Sequence, residues 1–111
     1  HNASFDMYVL KETFDAFEIQ YPQFDYYCSY RLAQKVIKGL PSYSLPLLCN
    51  SLGIKFGTHH RAETDSIGCA KIFTECVSRA GIRSLDELQN KFNFHCGRFD
   101  AGYFRPQRSY R

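Results

Sequence analysis

One short run of strand-forming residues constrains the fold of this chain more than any other feature of its sequence. Residues 26–30 are largely aromatic and follow Pro22, a pattern typical of a short buried strand. A single strand cannot satisfy the backbone hydrogen bonds along its own two edges. The sequence begins at His1 rather than Met. We therefore expect the partner strands to come from a segment upstream of His1.

The rest of the sequence is dominated by helical patterns. The clearest has apolar residues at three- and four-residue steps and ends at Gly81. A capping box, Ser84 with Glu87, predicts the start of a later helix. The predicted helices cover residues 4–20, 32–37, 45–52, 62–80 and 85–91. We divide the chain into a domain over residues 1–81 and an appendage over residues 82–111, with a short helix and a flexible end.

Composition indicates a globular chain without membrane segments. Of the 111 residues, 44% are hydrophobic and 16% aromatic, and no apolar run is long enough to cross a bilayer. The five cysteines are an odd number without a Cys-x-x-Cys pair, so the sequence predicts neither a disulfide framework nor a zinc site. A reducing, cytoplasmic setting is the simpler interpretation.

The excess positive charge lies in the C-terminal tail. Residues 98–111 contain four arginines and one aspartate, whereas residues 1–97 contain ten residues of each sign. Aromatic residues alternate with these arginines, so the tail could follow a phosphate backbone and stack on bases. A solvated linker to a neighbouring domain explains the same composition.

Two groups of polar residues are candidates for chemistry. Asp6 falls in the first turn of a predicted helix, where it could simply stabilise the helix end. His60 lies on a loop five residues before Asp65, which begins the strongest helix. Each pattern taken alone is common. Together, in this order and at this distance, they point to one site.

Residues 1–6 (His-Asn-Ala-Ser-Phe-Asp) resemble the second motif of the DnaQ-like 3'-5' exonucleases, and residues 59–65 (His-His-Arg-Ala-Glu-Thr-Asp) resemble the third motif in its histidine variant. The segments 28–33 and 40–49 are similar to the family as well. The resemblance spans about residues 1–81. It implies an α/β, ribonuclease H-like exonuclease fold, here only its mostly helical C-terminal part with one or two strands.

The resemblance also implies a mechanism. Two divalent ions, Mg²⁺ or Mn²⁺, lie about 3.5–4 Å apart and clamp the attacking and leaving oxygens of a terminal phosphodiester. Asp65 would hold the ion that activates the water, and Asp6 would help to hold its neighbour, because hard cations prefer carboxylate oxygens. His60 would be the general base. His59 competes for that role, but the family spacing favours His60.

The resemblance implies a substrate and partners. Asn2 and Phe5 would contact the terminal nucleotide, although both residues could equally belong to the core or the helix cap. The expected substrate is the 3' end of single-stranded DNA, in proofreading or repair, as in DNA polymerase III epsilon-like proteins. RNA is the alternative substrate, since these motifs do not read the 2'-hydroxyl. A polymerase or a fused downstream domain is the expected protein partner, and no membrane is involved.

One part of the family pattern is missing. The first motif, Asp-x-Glu, supplies further carboxylates and occurs nowhere in this sequence. We therefore expect this polypeptide by itself to bind ions weakly and to have little or no exonuclease activity. A non-catalytic nucleic-acid-binding module of the same fold is the alternative function. A merely helical domain with coincidental similarity is the third possibility.

Overall fold

The computed structural model describes residues 1–57 and 61–100, together with the backbone of residues 103–105. Within these residues the chain forms helices and short strands in a mixed order. In sequence they are α1 (Ala3–Ala16), β1 (Phe24–Tyr26), α2 (Ser29–Val36), α3 (Leu45–Ser51), α4 (Ala62–Ala80), α5 (Leu85–Phe92), β2 (Gly97–Asp100) and β3 (Tyr103–Arg105). None of the described helices is both long and apolar enough to cross a membrane.

Local sequence signals explain where the later helices begin and end. Gly81 takes a left-handed conformation with φ of 67° and closes α4. The Ser84 hydroxyl accepts a hydrogen bond from the Glu87 amide at 3.2 Å, and the Glu87 carboxylate accepts one from the Arg83 amide at 2.7 Å. The predictions of helices over residues 45–52, 62–80 and 85–91 are confirmed to within a residue at each end.

The sheet differs from the prediction in three ways. The strand occupies Phe24–Tyr26 rather than residues 26–30, because α2 already begins at Ser29. Its partner is β2, from the chain's own C-terminal segment, so the expectation of upstream partner strands is wrong for this edge. The described sheet has three strands in the order β1-β2-β3, not one or two, and both pairings are antiparallel.

Side chains explain why the C-terminal segment pairs with β1. Phe99 lies opposite Phe24, and their rings stack with centroids 5.1 Å apart. Gly97 lies opposite Tyr26, whose ring occupies the space that a side chain at position 97 would fill. The charged pair of Arg98 and Asp25 links the two strands on the exposed side at 3.1 Å. The two glycines and one proline of residues 82–111 predict a flexible end, and the sequence of this segment does not reveal the cross-strand contacts.

The main core lies between the helices. Its members come from α2, α3, α4, α5 and the loops beside them, and those that are fully buried include Leu32, Leu48, Ile72, Leu88 and Phe94. Ile82 also belongs to this cluster. The domain boundary predicted at residue 81 stays a prediction, but the described part of the proposed appendage packs into the same core as α4.

Helix α1 lies at the edge of this core. None of its residues is buried, and several large apolar side chains are exposed, among them Phe5, Tyr8, Val9 and, just after the helix, Phe17. Its C-terminal half is held by aromatic contacts, since Phe14 packs edge-on against Phe99 with ring centroids 5.9 Å apart. The fold therefore presents α1 on one side of a compact helical group that contains α4.

Candidate active site

Asp6 and Asp65 occupy equivalent places on two different helices. Asp6 is the fourth residue of α1, and Asp65 is the fourth residue of α4. The amide of Asp65 already donates to the carbonyl of Arg61 at 2.9 Å, so its backbone belongs to the regular helix. At this position a carboxylate leaves the helix just beyond the free amides of the first turn. Neither helix has a side chain that caps its N-terminus by a hydrogen bond.

Asp6 and Asp65 line one cleft. A cavity of about 750 Å³ is lined by residues of α1 and α4, of the α3 N-terminus and of the chain start: His1, Asp6, Leu45, Ala62, Asp65, Ser66 and Cys69. Asp6 is exposed and Asp65 is half-buried. Residues that are far apart in sequence are thus brought to a common, solvent-accessible space with an acidic lining.

The candidate base lies outside the described residues. Both His60 and its competitor His59 fall between Gly57 and Arg61, where the structure describes nothing. Arg61 precedes α4 directly, so the backbone connects residue 60 to the end of α4 that carries Asp65. The assignment of His60 as general base stays a prediction.

Asn2 and Phe5 are placed differently from the two carboxylates. Asn2 has a left-handed backbone with φ of 60°, is exposed, and its side chain makes no capping hydrogen bond. Phe5 is 65% exposed and lines a separate, mostly apolar groove of about 400 Å³ along α1, together with Tyr8 and Phe17. Among the described residues, neither Asn2 nor Phe5 lines the cleft that contains Asp6.

His1 also lines the cleft, although it is not among the site residues predicted from the sequence motifs. Its Nε2 lies 2.6 Å from the carbonyl oxygen of Tyr43, and its Nδ1 lies 2.8 Å from Oγ of Ser29. The ring also packs edge-on against Tyr30, with centroids 5.3 Å apart. The main-chain nitrogen of His1 donates to Sγ of Cys69 at 2.7 Å. Its place as the first residue of the Asp6 motif was the signal that could have identified it.

A glycine in α4 allows close packing beside the cleft. A Cβ atom on Gly68 would lie 2.8 Å from Cε2 of Phe56 and 3.4 Å from Cδ1 of Leu45. Phe56 belongs to the segment that leads towards residue 60, and Leu45 lines the cleft. The absence of a side chain at position 68, three residues after Asp65, thus lets both neighbours approach α4.

The described residues of the cleft offer ligand atoms of the type that a hard cation prefers, but too few of them to hold the ion. Carboxylate oxygens are the ligands that Mg²⁺ and Mn²⁺ prefer. Within residues 1–57 and 61–100, no group of three or more His, Cys, Asp or Glu side chains is arranged to hold a metal ion. The described residues therefore offer two carboxylates, Asp6 and Asp65, as part of a ligand set.

The cysteines are not suited to bind Mg²⁺ or Mn²⁺ in the cleft. All five cysteines are free, and Cys28, Cys49 and Cys76 are buried. Burial raises the pKa of the Cys49 thiol and raises that of Cys76 to about 11, so both stay protonated at neutral pH. Cys69 is half-buried in the cleft wall, but a thiol is a soft ligand that Mg²⁺ does not favour.

The helices and the small sheet of the described residues are compatible with an α/β fold. Comparison with protein families identifies the family. The RNase T family model, described as exonuclease, matches residues 1–73, which include both Asp6 and Asp65. The chain belongs to this exonuclease family, whose members are nuclease-type enzymes that act on nucleic acid and generally use divalent metal ions. No curated protein and no solved structure matches the chain.

Proposed function

We propose that the chain is part of a DnaQ-like 3'-5' exonuclease domain with a ribonuclease H-like fold and a two-metal mechanism. The observation that carries this proposal is that Asp6 and Asp65 line a single cleft although they come from different helices. Membership of the exonuclease family supports it independently, because the family match includes both residues. The two aspartates would lie in the second and third motifs of the family.

Each residue has a separate task in this mechanism. Bound Mg²⁺ or Mn²⁺ would supply Lewis acidity and a water of lowered pKa. Asp65, on the firmly packed α4, would hold the ion nearer the attacking water, and Asp6 would hold the neighbouring ion. His60 would accept the proton from the water. The half-buried position of Asp65 favours a fixed ligand, whereas Asp6 is exposed to solvent.

The proposed substrate is the 3' end of single-stranded DNA, with a role in proofreading or repair in the cytoplasm. The terminal nucleotide would enter the cleft beside α1, where Phe5 and Asn2 precede Asp6. Because Phe5 lines the neighbouring groove rather than the cleft itself, its contact would be with the base and not with the scissile phosphate. In the structure Phe99 is buried and Arg98 pairs with Asp25, so only the part of the basic aromatic tail beyond β2 would add phosphate contacts. A polymerase would be the protein partner.

Mn²⁺ titration followed by NMR tests the proposed site without requiring turnover. A paramagnetic ion broadens the amide signals nearest to it, so the signals of Asp6 and Asp65 should disappear at the same Mn²⁺ concentration. The Asp65→Asn variant should weaken the effect at both positions. Asp86→Asn is the matched control, because Asp86 is an exposed aspartate in the first turn of α5 and does not line the cleft. Broadening at surface carboxylates with none at the cleft would contradict the proposal.

A non-catalytic nucleic-acid-binding module is the second candidate function. It is favoured by the lack of an Asp-x-Glu motif in the sequence and by the small number of carboxylates in the cleft. For the 111-residue chain we expect little or no release of mononucleotides from a 3'-labelled single strand with Mn²⁺. Rapid release that Asp65→Ala abolishes would show that this chain is catalytically competent by itself. An Asp-x-Glu motif encoded upstream of His1 would favour the enzyme over the binding module.

A further inference from the structure

We propose that His1 is a positioning residue that fixes the start of α1, and with it Asp6, against the rest of the cleft. The inference rests on the proposed function in one respect only, namely that Asp6 and Asp65 hold two neighbouring metal ions. It concerns a side chain that would not touch the substrate or the ions. Two hydrogen bonds hold the imidazole ring, and four chain segments meet around it.

The carbonyl partner of the ring fixes which nitrogen carries a hydrogen. The carbonyl oxygen of Tyr43 only accepts hydrogen bonds, so Nε2 of His1, 2.6 Å away, carries the proton and donates. In the neutral ring Nδ1 then has no hydrogen and accepts from the hydroxyl of Ser29 at 2.8 Å. Neutral His1 with its proton on Nε2 thus satisfies both contacts, and each hydrogen bond orients the other.

Both partners of the ring are themselves held in place. Ser29 is the first residue of α2 and is only 6% exposed, so its hydroxyl needs a partner inside the protein. The carbonyl of Tyr43 belongs to the segment before α3, and the hydroxyl of the same tyrosine donates to the Ile37 carbonyl at 2.5 Å. The His1 ring therefore joins two segments that the core already fixes.

The backbone around His1 extends this connection to the two helices of the cleft. The main-chain nitrogen of His1 donates to Sγ of Cys69, which lies one helical turn after Asp65 on α4. The amide of Ala3, the first residue of α1, donates to Sγ of Cys28 at 3.3 Å. The N-terminal end of α1 is thus placed by contacts of residues 1–3 rather than by packing, since α1 has no buried residue.

Because the His1 ring both donates and accepts a hydrogen bond, variants that remove one or both of these bonds test its role. His1→Leu preserves bulk but removes both hydrogen bonds and leaves the Ser29 hydroxyl without this partner. His1→Gln retains an N–H donor that can reach the Tyr43 carbonyl, and is the conservative variant expected to restore part of the effect. His95→Leu is the matched control, because His95 bonds to Asn93 outside the cleft.

Two measurements report separately on the tautomer of the His1 ring and on Mn²⁺ binding in the cleft. Long-range ¹H–¹⁵N correlation spectra should show the neutral His1 ring with hydrogen on Nε2. In the Mn²⁺ titration, His1→Leu should raise the concentration needed to broaden Asp6 by roughly tenfold or more, the range seen when a supporting partner of a metal ligand is lost. The Mn²⁺ concentration needed to broaden Asp65 should change less. The midpoints of the two titrations, which coincide in the parent chain, should therefore separate in His1→Leu. For His1→Gln, the Mn²⁺ concentration needed to broaden Asp6 should lie between the values for the parent chain and for His1→Leu.

Two results would overturn the inference. One is a His1 ring with hydrogen on Nδ1 alone. The other is a His1→Leu variant in which amide exchange at the start of α1 is unchanged relative to α4. Absence of Mn²⁺ broadening at both aspartates in the parent chain would instead refute the proposed function, while the spectra of the ring and the exchange rates would still decide the role of His1.

Discussion

The pairing of β1 with β2 can be tested at Gly97. Gly97 lies directly opposite Tyr26 in the antiparallel register. A Cβ atom at position 97 would lie 2.2 Å from Cζ of Tyr26 and 2.6 Å from its hydroxyl oxygen. Carbon atoms in contact normally stay about 3.5–4 Å apart, so Gly97→Ala forces a shift of more than an ångström. Tyr26 is only 7% exposed, which leaves its ring little room to move.

The expected cost follows from two opposing effects. Overpacking of a buried site costs about 1–3 kcal/mol. Replacing glycine with alanine within a strand stabilises the folded state by about 0.5–1 kcal/mol, because the unfolded chain loses freedom. Gly97→Ala should therefore lower the free energy of unfolding by about 1–2 kcal/mol. For a domain of this size each kcal/mol corresponds to a Tm decrease of about 4 °C.

Urea and thermal unfolding of the full chain measure this effect, and a double-mutant cycle assigns it. In a Tyr26→Ala background the added methyl group no longer meets a ring, so Gly97→Ala should become neutral or stabilising. Gly57→Ala is the matched control, because its nearest contact would be Cγ2 of Thr64 at 3.4 Å. A Gly97→Ala protein as stable as the parent, with no coupling to position 26, would refute the pairing of these strands.

Three further substitutions test other parts of the structure. Ser84→Ala removes the cap of α5 and should lower the free energy of unfolding by about 1 kcal/mol in urea titrations, whereas no change would mean that the observed cap contributes nothing. Gly68→Ala gains about 1 kcal/mol of helix propensity but presses on Phe56 at 2.8 Å, and should be destabilising by about 1 kcal/mol overall; a more stable variant would show that the Phe56 ring is free to move. Because the pKa of Cys76 is raised from its ordinary 9.0 to about 11, its contribution to stability is complete below pH 9 and is lost as pH rises towards 11. Cys76→Ala should therefore reduce the slope of the free energy of unfolding against pH between pH 9 and 11. One titrating group contributes at most about 1.4 kcal/mol per pH unit to this slope, and an unchanged slope would contradict the raised pKa of Cys76.

Helices α3, α4 and α5 could be predicted to within a residue because their signals are local, whereas α1 ends at Ala16 rather than at residue 20 and α2 spans Ser29–Val36 rather than residues 32–37. Apolar spacing identifies the buried face of α4, Gly81 closes it, and the Ser84 box begins α5. The same locality explains the error at the strand. Residues 26–30 are aromatic enough for a strand, but Ser29 starts α2, and the first turn of a helix cannot be distinguished by aromatic content alone. The burial of Leu32 and Ala33 in the core stabilises α2 and outweighs the strand propensity of the aromatic residues before it.

The sheet partners could not be predicted because they depend on contacts between distant residues. Strand β2 is only four residues long and contains Gly97, so its alternation of buried and half-buried residues is too short to identify a strand from sequence. Its stability comes from Phe99, which is fully buried and stacks on Tyr21 as well as Phe24. Pairing across more than seventy residues of sequence leaves no trace in either segment considered alone.

For the candidate site, sequence and structure contribute different information. The sequence identifies Asp6 and Asp65 only through motifs, since each aspartate separately is an ordinary first-turn residue. The structure adds their common cleft and the contacts of His1, which depend on Ser29 and Tyr43 arriving at the same place. No sequence pattern encodes that meeting, because three different segments supply its parts.

The two carboxylates of the cleft are supported unequally, and this difference governs how the site should behave. Asp65 lies on α4, whose residues Gly68, Ile72 and Cys76 are buried in the core. Asp6 lies on α1, which has no buried residue and is held at its ends. Local opening requires little free energy where few apolar contacts are lost. Amides of α1 should therefore exchange with solvent faster than those in the middle of α4.

Metal binding should reverse part of this difference. The two neighbouring ions held by Asp65 and Asp6 bind fully only when α1 is in place, so they stabilise the docked position of α1 by mass action. Saturating Mg²⁺ should slow exchange in α1 more than in α4, and Asp6→Asn should abolish this protection. The exposed Asp15, near the other end of α1 and paired with Lys11 at 2.9 Å, provides the control substitution. Equal exchange of both helices without metal would show that α1 is fixed by contacts other than those described, and that the affinity of the site does not depend on its mobility.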